Sequence, residues 1–223
     1  MDELKKAAPS PPALAADFVV SAAAAAQFPA PHLPEIALLG RSNAGKSSLM
    51  NRWLGRKTLA RVGAAPGRTR LINFFNIVWR KGDRPFFLTD LPGYGFAAVP
   101  KAMAVGWGRL AANYLEAGRP IKTALLIMDI RRDPQTEEYG LLDWLASLNI
   151  PAWLITSKAD KLKSDERSRR LAHISALCRS RVPLTRPPLA FSALTGLGRE
   201  ALISGLIDSD LLHSGEIRPF AEE

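Results

Sequence analysis

The 223-residue sequence predicts an α/β fold: a doubly wound, mostly parallel six-stranded sheet with one antiparallel strand and helices on both faces. Three observations predict it. Strand-like and helix-like stretches alternate along most of the chain, as parallel sheets with crossover helices require. "TALLIMDI" has no polar face, its five central residues Ala124–Met128 being apolar, as in a strand covered on both faces. "GRSNAGKSSLMN", residues 40–51, follows an apolar run and opens a helical one, with Gly40, Gly45, Lys46 and Ser47 in G-x-x-x-x-G-K-[ST] spacing.

The elements follow in order. "EIALLG" reads as a buried strand feeding the glycine-rich loop, and "KSSLMNRWLG" as the helix that the loop opens. "RKTLARVGAAPGRTR" is irregular, broken by Gly63, Pro66 and Gly67. "LINFFNIVWR" and "RPFFLTDLP" are strands joined by a turn at "KGD", the one early hairpin. After "TALLIMDI" comes a helix with Asp133 as N-cap, Pro134 at its first position and two glutamates in its first turn. "PAWLITS" is a strand, "SDERSRRLAHISALCRS" a helix, "PLAFSA" a last strand and "GREALISGLIDSDLL" a last helix. No repeat or long linker divides the chain. One domain is expected over residues 18–213, between a flexible leader at 1–17 that becomes ordered near "DFVVSA" and a tail at 214–223.

Composition narrows the function classes. With 47% hydrophobic and 23% charged residues the chain is globular, not disordered. The single cysteine, Cys178, excludes an intrachain disulfide framework and suits a reducing compartment; Leu171, Ile174 and Leu177 at helical spacing mark it as a core residue. No run reaches the ~18 apolar residues of a membrane span. The N-terminus is interrupted by Pro9, Pro11, Pro12 and Asp17, unlike a signal peptide, so a cytoplasmic protein without membrane partner is expected. The net charge of +9 is uneven: Arg52, Arg56, Lys57, Arg61, Arg68 and Arg70 form one cluster. Lys158, Lys161, Lys163, Arg167, Arg169, Arg170, Arg179, Arg181 and Arg186 form another, and such density points to a polyanionic partner.

The loops after the strands carry the chemistry. Backbone N–H groups of residues 41–48 (Arg41, Ser42, Asn43, Ala44, Gly45, Lys46, Ser47, Ser48) can wrap a diphosphate, with Lys46 on the outer phosphates and the Ser47 hydroxyl on Mg²⁺. "DLPG" ends the hairpin's second strand about 45 residues on, where Asp90 can hold Mg²⁺ through water and the Gly93 N–H can meet a γ-phosphate. Between them, Gly67, Arg68 and Thr69 form a segment whose threonine hydroxyl can reach the metal only while the γ-phosphate is present. "TSKAD" puts Ser157, Lys158 and Asp160 at the end of a buried strand. A carboxylate there accepts two hydrogen bonds from guanine, whereas adenine would leave it unpaired, so the pattern selects GTP and GDP over ATP. Lys158 can lie over the base or brace the phosphate loop, and "FSAL" brings Ser192, Ala193 and Leu194, whose N–H groups can bond the guanine O6.

Taken together, "GRSNAGKSSLMN", "PGRTRLINFFNI", "DLPGYGFA", "MDIRRD", "TSKADKL" and "FSAL" closely resemble the EngB family of ribosome-biogenesis GTPases, within the TrmE-Era-EngA-EngB superfamily of translation-factor-class GTPases. The resemblance spans roughly residues 18–210. It implies a phosphate-loop G domain, GTP hydrolysis, and assembly of the large ribosomal subunit on rRNA, with loss of function disturbing cell division and septation. No DNA partner is implied. The basic clusters suit an rRNA particle.

Three residues qualify the resemblance. Ser157 stands where the family usually has Asn or Thr, so the loop is still ordered while the base is touched less directly. Tyr94 follows "DLPG" where many GTPases place the glutamine that orients water, so slow intrinsic hydrolysis is expected. Asn43, with Lys46 and Thr69 a catalytic candidate, matches an asparagine that helps related GTPases bind K⁺ beside the phosphates. It is equally a loop residue tolerant of unusual dihedrals. Two other readings stay open, a phosphate-loop ATPase or kinase and a non-hydrolysing RNA-binding scaffold. "SKAD" opposes the first; intact Lys46, Ser47, Thr69 and Asp90 oppose the second.

Overall fold

The computed structural model describes residues 13, 15–56, 59, 71–80, 83–94, 109–179 and 186–207. Its strands are β1 (Ala15–Ala22), β2 (Glu35–Gly40), β3 (Ile72–Val78), β4 (Phe86–Asp90), β5 (Ile121–Asp129), β6 (Ala152–Ser157) and β7 (Leu189–Ala190). Helices are α1 (Lys46–Leu54), α2 (Arg109–Glu116), α3 (Thr136–Ser147), α4 (Ser164–Arg179) and α5 (Arg199–Ile207). They form one sheet in the order β1-β3-β4-β2-β5-β6-β7. β3 is antiparallel to both β1 and β4, while β2 is parallel to β4 and β5, β5 to β6 and β6 to β7. Among the described strands β3 alone is reversed, as the sequence predicts.

The sheet has seven described strands, not six. The added one, β1, starts inside the stretch read as a flexible leader. Phe18, Val19 and Val20 are strand formers, and β1 completes the edge of β3 by pairing from Ala15↔Val78 to Ala22↔Ile72. Helix α2 was also not anticipated, although Leu110, Ala111, Tyr114 and Leu115 have helical spacing and the last three are buried. The N-cap of α3 is Gln135, not Asp133: the Gln135 N–H donates to Glu138 Oε2 at 2.8 Å. Asp133 instead pairs with Arg170 of α4 at 2.6 Å.

Two apolar layers explain the runs without a polar face. Ala124, Leu126 and Met128 of β5 face α2, α3 and α4 through Tyr114, Leu141, Leu145, Ile174 and Cys178. Leu125 and Ile127 point the other way, toward Leu49, Trp53, Leu202 and Leu206 of α1 and α5. Cys178 is fully buried, as its spacing predicts. At the end of the sheet away from the glycine-rich loop, Glu35 is fully buried and paired with Arg119 at 2.6 Å. Tyr114 Oη also donates to Glu35 at 2.6 Å, and the guanidinium lies over the rings of Phe28, Phe74 and Tyr114.

Because β2, β4, β5, β6 and β7 run in one direction, their carboxyl ends share an edge. The chain leaves β2 toward β3 and β4, then crosses back over β2 to reach β5. The crevice above β2 is therefore the switch point at which such sheets bind ligands.

Candidate functional site

The glycine-rich loop leaves β2 at Gly40, where a Cβ would lie 2.5 Å from the Ile127 carbonyl oxygen, so only glycine fits. Asn43 (φ 64°) and Gly45 (φ 97°) are left-handed and curl the backbone so that helix α1 begins at Lys46. Successive N–H groups in such a curl, backed by a helix N-terminus, form an anion cradle. Ser47 and Ser48 stand in the first turn of α1.

Two consecutive residues at the end of β6 hold this loop. Ser157 Oγ, buried, is 2.6 Å from the Ala44 carbonyl and 3.0 Å from that of Met128; its single proton serves one at a time. Lys158, itself left-handed at φ 58°, donates from Nζ to the Asn43 carbonyl at 3.0 Å. It thus braces the loop, one of its two anticipated postures. The same ammonium lies 3.0 Å from Asp129 Oδ2, at the end of β5. Burial pushes the Asp129 carboxyl up, but hydrogen bonds from the Arg131 side chain and N–H and from Lys158 outweigh it and hold the group well below the usual carboxylate range. Asp129 was not anticipated as a site residue. Its signal was position: a carboxylate closing an apolar parallel strand at the ligand edge.

On the other side of β2, Asp90 sits opposite Leu38 and faces Lys46. Burial lowers the Lys46 pKa, an effect opposed by Asp90; burial raises that of Asp90, opposed by Lys46 and by a hydrogen bond from Asn73. Asp90 Oδ1 is buried, with no hydrogen-bond partner among the described residues. An ionised oxygen in that state is costly unless a cation or a cation's water completes it.

Beyond Asp90, the "DLPGY" segment lies against the phosphate loop. A Cβ on Gly93 would come within 2.8 Å of Ser42 Oγ and 2.9 Å of its nitrogen, so this approach requires glycine. The Ser42 N–H donates to the Tyr94 carbonyl at 2.9 Å, and Tyr94 forms a bridge with Arg41. The Tyr94 side chain is buried and donates to Glu138 Oε1 at 3.0 Å; burial and the Glu138 charge raise its pKa well above normal. Glu138 thus joins the start of α3 to the end of "DLPGY", with one oxygen on each.

The base-reading residues stand on the short turn Ala159–Lys161. Ser192, fully buried, donates from Oγ to Asp160 Oδ1 at 2.7 Å and accepts the Thr195 N–H at 3.1 Å. Asp160 Oδ2 lies 3.9 Å from the ammonium of exposed Lys161. Among the described residues no hydrogen bond takes up the N–H groups of Ala193 and Leu194, and the Leu194 side chain is 77% exposed. Arg41 through Ser48, Asp90, Gly93, Ser157, Lys158, Asp160 and Ser192 through Leu194 all lie at this one edge of the sheet. Gly67, Arg68 and Thr69, with Lys57, Arg61 and Arg70, lie outside the described residues, as do Arg181 and the tail.

Residues 35–158 match the profile of the 50S ribosome-binding GTPase family. A probable GTP-binding protein EngB of Syntrophotalea carbinolica is 43% identical over 191 residues, covering 86% of this chain and 88% of that one. The chain belongs to the EngB family of GTP-binding proteins. The EngB relative from Desulforamulus reducens is 37% identical over 212 residues, 94% of this chain and 98% of that one. The crystal structure of a probable GTP-binding protein EngB aligns with a TM-score of 0.56 at 25% identity, over 78% of this chain and 97% of that one. Era of Aquifex aeolicus, bound to GDP and AlF4⁻, aligns with a TM-score of 0.64 at 22% identity, over 82% and 58% of the two chains. That second likeness speaks to the fold alone. This chain is therefore a GTP-binding phosphate-loop GTPase of EngB type. Among the described residues no helix is long and apolar enough to cross a membrane.

Proposed function

We propose that this EngB-family protein is a slow GTPase whose bound nucleotide controls its attachment to precursors of the large ribosomal subunit. The observation that carries the reading is the anchoring of Tyr94. The side chain after "DLPG" is buried on Glu138, 3.0 Å away, and so does not stand free to orient a water at the γ-phosphate. Completion by a partner particle, or by an ion, follows. In the GTP state the loop N–H groups and Lys46 hold the phosphates, Lys158 keeps the loop in shape, and Asp160 accepts from guanine N1–H and the 2-amino group. The Ala193 and Leu194 N–H groups serve O6, while Gly93 and the segment of Gly67, Arg68 and Thr69 respond to the γ-phosphate. The unpartnered Asp90 Oδ1 fits Mg²⁺, which Ser47, Thr69 and, through water, Asp90 would hold. When bound, the ion neutralises charge on the β- and γ-phosphates. Asn43, left-handed in the phosphate loop, is our candidate for K⁺. Water attacks the γ-phosphorus, GDP and phosphate leave, and attachment weakens.

The family profile's description as a 50S ribosome-binding GTPase supports the partner, as does the charge. Part of the basic surface is spent on the fold itself: Lys158 holds the loop, Arg170 pairs with Asp133, and Arg186 lies 5.1 Å over the Trp153 ring. Exposed Lys161, Lys163, Arg169 and Arg179, with half-buried Arg167, remain on and beside α4 for rRNA phosphates. A cytoplasmic place and a role in cell division and septation belong to the same reading. Single-turnover GTP hydrolysis tests it. Large subunits are expected to accelerate turnover, and a rate indifferent to them would leave a GTPase without this partner.

A further inference from the structure

A polar line crosses the strands beneath Asp90. In the register of the sheet Ser21 of β1 lies directly opposite Asn73 of β3, and Asn73 directly opposite Asp90 of β4. Directly opposed residues share a face of the sheet, here the face of Phe75, Ile77 and Leu88 that α1 covers. Ser21 Oγ donates to Asn73 Oδ1 at 2.5 Å, and the Asn73 side chain, directly across the strands from Asp90, favours the ionised form of its carboxylate. The direction is forced. An ionised carboxylate accepts only, so the Asn73 NH₂ must face Asp90, and its oxygen must then face a donor, which Ser21 supplies. Asn73 thus stands beside Asp90 from the neighbouring strand, while among the described residues Oδ1 has no hydrogen-bond partner and Lys46 is close enough to act on the group's charge.

We propose that Ser21 and Asn73 are positioning residues that orient the Asp90 carboxylate for the divalent cation, so that the N-terminal edge strand tunes Mg²⁺ affinity at the nucleotide site. The proposal rests on the reading of Asp90 as a magnesium residue. Groups that orient a metal site from behind its ligands are typically worth about 10–100-fold in metal affinity. Asp90 meets the ion through water, so its own partners stand one step further out and act at the lower end of that range. Losing Asn73 frees the carboxylate to rotate. Losing the Ser21 hydroxyl frees the amide to flip, which is the milder change.

The test uses the full chain and a fluorescent GDP analogue, titrated in EDTA and across a Mg²⁺ series. Wild type is expected to bind more tightly as Mg²⁺ rises, with a defined midpoint. Asn73→Ala is expected to raise that midpoint several-fold, up to about 10-fold, and Ser21→Ala by a smaller factor, with affinity in EDTA unchanged. Ser21→Thr keeps the hydroxyl and is expected to retain the wild-type midpoint. A midpoint unmoved in both alanine variants overturns the proposal. So does an equal loss of affinity in EDTA, which marks a packing role. Should Asn73→Ala not fold, the Ser21→Ala and Ser21→Thr pair decides on the same criterion. A wild type indifferent to Mg²⁺ refutes the underlying magnesium reading, a result distinct from a variant-specific failure.

Discussion

Replacing Asp160 by Asn changes one oxygen to an amide nitrogen at the point where guanine is read. Ser192 Oγ donates to Asp160 Oδ1 at 2.7 Å and is itself held by the Thr195 N–H, so in the variant the amide oxygen stays on Ser192. The NH₂ then takes the place of Oδ2, whose nearest cation, exposed Lys161 at 3.9 Å, contributes little. Guanine presents its 2-amino group there, so donor meets donor. Hydrogen bonds to a charged group are worth about 1.5–3 kcal/mol each. Weakening two of them raises the GTP dissociation constant by at least ~10²-fold, since 1.4 kcal/mol is one decade. Xanthine carries a carbonyl at the same position and accepts from the amide, so xanthosine triphosphate is expected to gain affinity as GTP loses it. Competition of both nucleotides against a fluorescent GDP analogue measures the two constants. Unchanged GTP affinity, or equal losses for both bases, would refute base reading by Asp160.

Three further outcomes are expected. GTP hydrolysis runs faster in KCl than in NaCl at equal ionic strength, and Asn43→Ala abolishes the difference; equal wild-type rates remove the K⁺ role. Arg119→Met leaves Glu35, 0% exposed, without its ion partner though still bonded by Tyr114, and is expected to cost about 3–5 kcal/mol in urea unfolding, with Glu35→Gln added to it recovering part of the loss. Asp129, with its folded pKa depressed, stabilises fully above its unfolded value of about 3.9 and loses that contribution as pH falls below it. Wild type is therefore expected to lose more stability than Asp129→Asn between about pH 5 and pH 2, as thermal unfolding across that range will show.

The parallel sheet was readable because its strands are covered on both faces: "TALLIMDI" has no polar side to show, and Leu125 and Leu126 do face opposite layers. β1 was missed because its Ala-rich flanks carry no period, and its pairing comes from the exposed edge of β3, which lies far along the chain. α2 has helical spacing at Leu110, Ala111, Tyr114 and Leu115, but its eight residues span little more than two turns, too short for a strong periodic signal. At the site, the loop-forming motifs were read from local spacing. The links between loops were not. That Ser157 holds Ala44 and that Lys158 answers to Asp129 are contacts across strands, set by register. Nor does any motif mark the line from Ser21 through Asn73 to Asp90, which exists only once three strands are side by side.

If GTP times attachment to the large subunit, co-sedimentation with precursor large subunits will depend on the bound nucleotide. The comparison is between GDP and a non-hydrolysable GTP analogue, for wild type and for Thr69→Ala. On the proposed reading GTP orders the segment around Thr69, Arg68 and Arg70 in advance of contact, which would spare the particle an entropic cost of about 1 kcal/mol or more per residue. Wild type is therefore expected to sediment with the particle more strongly in the GTP analogue than in GDP, with both weakened by salt. Thr69→Ala is expected to bind the analogue yet show no preference. Equal sedimentation of wild type in the two nucleotides would rule out nucleotide-timed attachment and leave a constitutive RNA-binding protein.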